Sequence, residues 1–150
     1  MRAVIQRVSR AEVRVDGESV SSIGPGLAVL VGVADGDSLD DAEVLADKVV
    51  GLRVFPDGAG KMNQSAVEAG GSVLVVSQLT LHGDLRRGRR PSFTAAADPA
   101  IAEPLIDALV ARVGRSVPVG SGRFGASMQL DLVNDGPVTI ILEIVDGRVI

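Results

Sequence analysis

The sequence has no cysteine, tryptophan or tyrosine, and only three phenylalanines, Phe55, Phe93 and Phe124. Without cysteine there is no disulfide framework, thiolate zinc site, iron–sulfur cluster or cysteine nucleophile. The scarcity of aromatic rings argues against the base-stacking platforms of single-strand binders. No apolar run approaches the roughly 18 residues of a membrane-crossing helix. Met1 to Arg10 mixes polar and apolar residues and lacks the apolar segment of a secretory leader. A cytoplasmic location is therefore expected. There is one histidine, His82, so any hydroxyl–imidazole mechanism has a single candidate base. No His, Asp or Glu cluster has metal-ligand spacing, and neither a catalytic metal nor a cofactor is expected.

What is present points to one folded unit. The 150 residues suit a single domain with its own core, and a hydrophobic content of 46% excludes extended disorder. The 15 basic residues face 19 acidic ones, a net charge of −4. Any contact with a polyanion must therefore be local. Val13 and Val15 alternate with Glu12, Arg14 and Asp16, the period of a half-buried strand, and Asp16-Gly17 supplies a hairpin turn. Leu27 to Val33 reads as a strand buried on both faces. A helix is expected from Ser38, with Asp41 completing a capping box and Leu45, Val49 and Leu52 on one face. A short strand follows at Arg53 to Phe55, then a polar, Gly-rich connection from Pro56 to Gly71, then a second buried strand over Ser72 to Leu81. Asp98 as cap and Pro99 at the first helical position open a second helix, with Ile101, Leu105, Leu109 and Val113 as its apolar stripe and Gly114 as its end. The tail from Val117 alternates again. The expected fold is α+β: a mostly antiparallel, barrel-like sheet carrying two helices.

Four stretches carry polar chemistry. Read as a strand end, Ser77-Gln78-Leu79-Thr80-Leu81-His82 puts Gln78, Thr80 and His82 on one face, either as a binding cluster or as a strand leaving the core. No G-x-S-x-G elbow supports a hydrolase triad. Arg86, Arg87, Arg89 and Arg90 place four guanidiniums in five residues. Phosphate would relieve their mutual repulsion, although a solvated loop accounts for them equally well. Gly120-Ser121-Gly122-Arg123-Phe124-Gly125 lacks the ending of a phosphate loop. Asn134-Asp135-Gly136-Pro137 is a hairpin signal, but its proline also permits a cis bond that would redirect the preceding carbonyl.

Together these segments resemble the D-aminoacyl-tRNA deacylase family along essentially the whole chain. The resemblance begins with Met1-Arg2-Ala3-Val4-Ile5-Gln6-Arg7-Val8. It continues through Leu52-Arg53-Val54-Phe55, Ser77-Gln78-Leu79-Thr80-Leu81, Arg90-Pro91-Ser92-Phe93 and Gly122-Arg123-Phe124-Gly125-Ala126-Ser127-Met128. It ends with Asn134-Asp135-Gly136-Pro137-Val138-Thr139. The S-Q-x-T-L and N-x-G-P-x-T motifs in this order are its specific part. The resemblance implies hydrolysis of the ester joining a D-amino acid to the 3′ end of tRNA. It also implies a homodimer with active sites at the subunit interface. Ser77, Gln78, Thr80 and Phe124 would be catalytic. Gly136, Pro137, Met128, Gly125 and Ala126 would bind substrate, with a cis Gly136-Pro137 from one subunit excluding L side chains from the pocket of the other. Glycyl-tRNA, with no side chain to exclude, is a further expected substrate. Arg86, Arg87, Arg89 and Arg90 would meet tRNA phosphates. His82 lies outside the family pattern. Two mechanisms stay open: Thr80 as nucleophile, or a site that positions the ester beside the 2′-hydroxyl of the terminal adenosine while backbone amides hold the oxyanion. The competing class is a non-enzymatic RNA- or phosphate-binding β-domain.

Overall fold

The computed structural model describes residues 1–150. Nine strands are formed: β1 (Arg2–Val15), β2 (Glu18–Ile23), β3 (Gly26–Gly32), β4 (Phe55–Pro56), β5 (Met62–Gln64), β6 (Ser72–Ser77), β7 (Val119–Ser121), β8 (Gln129–Val145) and β9 (Arg148–Val149). Three helices accompany them: α1 (Leu39–Gly51), α2 (Ala66–Ala69) and α3 (Pro99–Val113). A 3-10 turn occupies Leu79–His82.

The alternation at the N-terminus makes β1 the hub of the sheet. It pairs antiparallel with β2, β3 and β8. The strand order is β7-β6-β3-β1-β8-β9, with β2 beside β1 off that path. Antiparallel pairings dominate, as expected, but β3–β6 and β6–β7 are parallel, so the sheet is mixed. It curls on itself. Val13 on β1 and Val20 and Ile23 on β2 share an apolar cluster with Leu74 and Val76 on β6. The other face of the sheet meets α1 and α3 across the main core, which contains Ile5, Val29, Leu45, Val75, Leu109 and Ile144.

The first helix starts as its sequence dictates. Ser38 accepts from the Asp41 amide, and the Asp41 carboxylate accepts from the Ser38 amide at 2.8 Å. Asp41 also accepts from the Gly147 amide at 2.8 Å, which ties the β8–β9 turn to the helix start. Burial pushes this carboxyl up, but the bonds from Gly147 and Ser38 outweigh it and hold it below its ordinary value. Its stabilising effect is thus present above the usual carboxylate range and fades as acid protonates it.

Several local readings need correction. There are three helices rather than two. The Pro56–Gly71 connection contains β5 and the one-turn α2, capped by Ser65 and Glu68. The Asp98 side chain makes no cap bond. Its carbonyl instead accepts from Ile101 and Ala102, while Pro99 does stand in the first turn. Ile101 is exposed, and the buried stripe of α3 is Ala102, Leu105, Ile106, Leu109 and Val113, because a strict four-residue spacing drifts off one face of a 3.6-residue helix. The strand over Ser72 to Leu81 stops at Ser77. Val31–Ser77 is the last pair between β3 and β6, and with no further ladder to follow the chain closes into the 3-10 turn. Finally, Asn134-Asp135-Gly136-Pro137 makes no hairpin. β8 runs through it, and the pairing with β1 absorbs it as irregularities between Gln6 and Val8 and between Val8 and Arg10. The hairpin forms later, at Asp146-Gly147, where both residues have positive φ.

Candidate active site

The break after Ser77 makes a site. β3 and β6 run parallel and end together, and a pocket of about 440 Å³ opens beyond their ends. Ser77, Gln78 and Thr80 line one side, Phe124, Gly125, Ala126 and Met128 another. These seven are site residues expected from the sequence, drawn from two segments more than 40 residues apart in the chain. The third wall was not foreseen. Ala97, Pro99, Ala102 and Ile106 come from the start of α3 and the residues before it, and Leu79 closes one end. Nothing local marks them as site residues, because their place depends on how α3 docks.

No ionisable side chain is among the seventeen lining residues. Thr80 Oγ1 accepts a hydrogen bond from Gln78 Nε2, so that amide orients the hydroxyl without taking its proton. His82 faces away from Thr80. Its Nε2 bonds the Gly32 carbonyl at 2.9 Å, so the Thr80–His82 pair on one strand face does not exist. The physical reason is the turn: in a 3-10 segment, residues two apart do not share a face.

Backbone amides supply the donors. The first bond of the 3-10 turn runs from the Leu81 amide to the Gln78 carbonyl at 3.2 Å, so the amides of Leu79 and Thr80 precede it. On the facing segment the Ala126 amide closes a turn onto the Arg123 carbonyl at 3.1 Å, with the amides of Phe124 and Gly125 inside it. Such preorganised donors suit a developing oxyanion.

Gly136 and Pro137 do not line this pocket. They lie exposed on β8, joined by a cis peptide bond. Gly136 has φ +130°, and a Cβ there would stand 2.9 Å from Val138 Cγ2 and 3.1 Å from an Arg7 Nη. Arg7 holds the segment: its Nε donates to the Asp135 carbonyl at 3.0 Å and its Nη1 to the Val54 carbonyl at 2.6 Å.

The arginine run occupies a loop directly after the 3-10 turn, closed by an isolated bridge between Asp84 and Ser92. Its four guanidiniums are not equivalent. Arg86 is bound by Asp84 through several contacts, the shortest 2.7 Å. The hydrogen bonds from Arg86 hold the Asp84 carboxyl down at about 2. Arg87, Arg89 and Arg90 are exposed and form none of the ion pairs of the chain. Neither does Arg123, next to Phe124 on the pocket wall. Four arginines without an ion-pair partner thus lie in the two segments that flank the pocket lining.

Comparison with known proteins converges on one family. The family model described as D-Tyr-tRNA(Tyr) deacylase matches residues 4–143. The chain is 54% identical over 149 residues to the D-aminoacyl-tRNA deacylase of Chloroflexus aurantiacus, covering 99% of this chain and 93% of that one. It is 57% identical over 144 residues to the D-aminoacyl-tRNA deacylase of Symbiobacterium thermophilum, covering 95% of each. Among solved structures, the c-Myc DNA Unwinding Element Binding Protein is 38% identical, with a TM-score of 0.91 over 97% of this chain and 99% of that one. With the family model spanning residues 4–143 and relatives over half identical along nearly the whole chain, the chain belongs to the D-Tyr-tRNA(Tyr) deacylase family.

Proposed function

We propose that the chain hydrolyses the ester bond of D-aminoacyl-tRNA, releasing a free D-amino acid and tRNA, and so removes D-residues before they reach protein synthesis. The observation that carries this reading is the composition of the pocket. It holds the Ser77 and Thr80 hydroxyls, the Gln78 amide and apolar walls, but no acid, base or imidazole. An aminoacyl ester is a labile bond, so holding it in an attack geometry and stabilising its oxyanion supplies much of what its cleavage needs. Water attacks the carbonyl carbon, assisted by the 2′-hydroxyl of the terminal adenosine, and the bond to the 3′-oxygen breaks. The proton from water ends on that 3′-oxygen. Thr80 and Gln78 orient the ester, and the amides near Thr80 and Phe124 face the developing negative charge. Thr80 as a nucleophile would need a base, and its one bonded neighbour, Gln78, is an amide. Glycyl-tRNA is accepted on the same reading.

Assaying D- and L-aminoacyl-tRNA side by side tests the reaction. The expected result is rapid release from the D-substrate and little from the L-substrate. Binding of both without release would instead favour a non-enzymatic RNA-binding module.

Chiral rejection is assigned to Gly136 and Pro137 of a second copy. Two features support a homodimer. β8 is bonded on one side by β1, while its other side is covered by β9 only near Ile144 and Val145. This long open edge carries exposed Val133 and Ile141, the kind of edge that needs a cover. Second, Gly136 and Pro137 lie exposed on β8 and outside their own pocket. Light scattering at micromolar concentration should give twice the 15.4 kDa chain mass. Gly136→Ala forces a Cβ against Val138 and Arg7 at a positive φ. It should lower D-substrate turnover by roughly tenfold or more, or admit L-substrates, while leaving the fold intact. A monomer, or a fully active and selective Gly136→Ala variant, would contradict the assignment.

The arginine loop is assigned to the tRNA backbone near its acceptor end. Arg87, Arg89 and Arg90 are free to meet phosphates, whereas Arg86 is engaged by Asp84. Replacing all four with alanine should flatten the slope of log binding constant against log salt by roughly 2 to 3, the value for three phosphate contacts. Arg86→Ala alone should change it little. An unchanged slope in the quadruple variant would refute the assignment.

A further inference from the structure

The 3-10 turn that carries Thr80 has no buried side chain. Leu79 and Thr80 are both exposed. A four-residue turn without an apolar anchor is placed by its hydrogen bonds. At its entry the Gln78 amide donates to the Val31 carbonyl at 2.7 Å. At its far end two side chains hold it from behind. Arg2 Nη1 donates to the Leu81 carbonyl at 2.7 Å, and His82 Nε2–H donates to the Gly32 carbonyl at 2.9 Å.

Arg2 is itself held in place. It stands opposite Glu143 in the β1–β8 register, and its Nε donates to Glu143 Oε1 at 2.8 Å while Nη2 bonds the same carboxylate. One edge of the guanidinium is thus committed to Glu143, which aims Nη1 at the turn. A planar fork with several donors in fixed directions does this, and a single point charge would not. Gly32 completes the seat. A Cβ there would lie 2.8 Å from the Gln78 carbonyl and 3.1 Å from Leu81 Cβ, so only glycine lets the turn settle onto the end of β3. Arg2, His82, Glu143 and Gly32 are all absent from the pocket lining.

We propose that Arg2, aimed by Glu143 and seconded by His82, is a positioning residue for the deacylation: it fixes the Leu81 carbonyl, and with it the Thr80 hydroxyl and the turn's leading amides, against the ester. The proposal rests on the deacylase reading above. It also gives the one histidine of the chain a role as a hydrogen-bond donor behind the site rather than as a base within it. The Arg2 and Glu143 side chains are 38% and 36% exposed, so their pairing adds little to global stability. Position and stability are therefore separable by experiment.

The test compares wild type with Arg2→Met, Arg2→Lys and Glu143→Gln. It reads kcat and KM on D-aminoacyl-tRNA, amide hydrogen exchange and melting temperature. Arg2→Met should lower kcat by about 10- to 100-fold, the scale of a small misplacement of catalytic groups, with KM changed by less than about threefold. Exchange should accelerate in the peptide spanning residues 78–83 and not elsewhere, at a nearly unchanged melting temperature. Arg2→Lys, which keeps a charged donor, should recover part of the loss. Glu143→Gln should show the same signature more weakly, and it decides the matter if Arg2→Met does not fold. An unchanged kcat in a folded variant, a loss confined to KM, or a loss that follows the melting temperature would overturn the proposal. Absence of turnover in the wild type would instead remove the deacylase reading. The exchange data would then judge the anchoring alone, and unchanged exchange at residues 78–83 would overturn it.

Discussion

The functional architecture depends on where one ladder ends. β3 and β6 pair in parallel as far as Val31 and Ser77 and no further. Beyond that pair the Gln78 amide spends its hydrogen bond on the Val31 carbonyl, and the chain closes into a tight turn instead of extending. The turn lifts Gln78 and Thr80 out of the sheet and toward the Phe124 to Met128 segment. β7, parallel to β6, is held at the matching height by its pairing with Val73 to Val75 and so delivers that segment. The start of α3 closes the remaining side. Slip the register of β6 against β3 by one residue and the faces of its side chains reverse.

The electrostatic arrangement follows the same division. The chain is acidic overall, yet the segments flanking the pocket carry arginines without acidic partners. Inside, ionisable groups are absent from the lining. On the proposed function, these arginines attract and orient a polyanion from outside. The same proposal leaves the chemistry inside to neutral donors and to a hydroxyl that the substrate brings. On that reading a charged loop and a reaction pocket are neighbours without sharing residues. His82, the natural candidate for a base, is instead bonded to the Gly32 carbonyl.

Parts of this were legible in the sequence, for identifiable reasons. The Ser38–Asp41 capping box and the alternation of Val13 and Val15 are local, and local physics decides them. The S-Q-x-T-L and N-x-G-P-x-T motifs were legible as motifs, and seven of the expected site residues do meet in one pocket. Their conformations were not legible. Whether Gln78 to His82 extends or turns depends on where a strand nearly 50 residues earlier stops. Asn134 to Pro137 reads locally as a hairpin, but the long pairing with β1 overrides it. The wall from Ala97 to Ile106 carries no motif at all, because its role comes from helix docking. Arg2 and Arg7 sit in the first segment of the resemblance with no local sign of a partner, and only the folded chain brings them to the Leu81 and Asp135 carbonyls.

The central claim is that a pocket without an acid or base of its own works by holding the ester beside a hydroxyl that belongs to the tRNA. The most direct measurement compares single-turnover release of a D-amino acid from tRNA ending in adenosine and from tRNA ending in 2′-deoxyadenosine, at saturating enzyme. The account predicts that both bind alike and that the deoxy substrate is cleaved about 100-fold or more slowly, the upper range for loss of a positioned proton-transfer group. Equal rates, together with an acyl group trapped on Thr80, would contradict it.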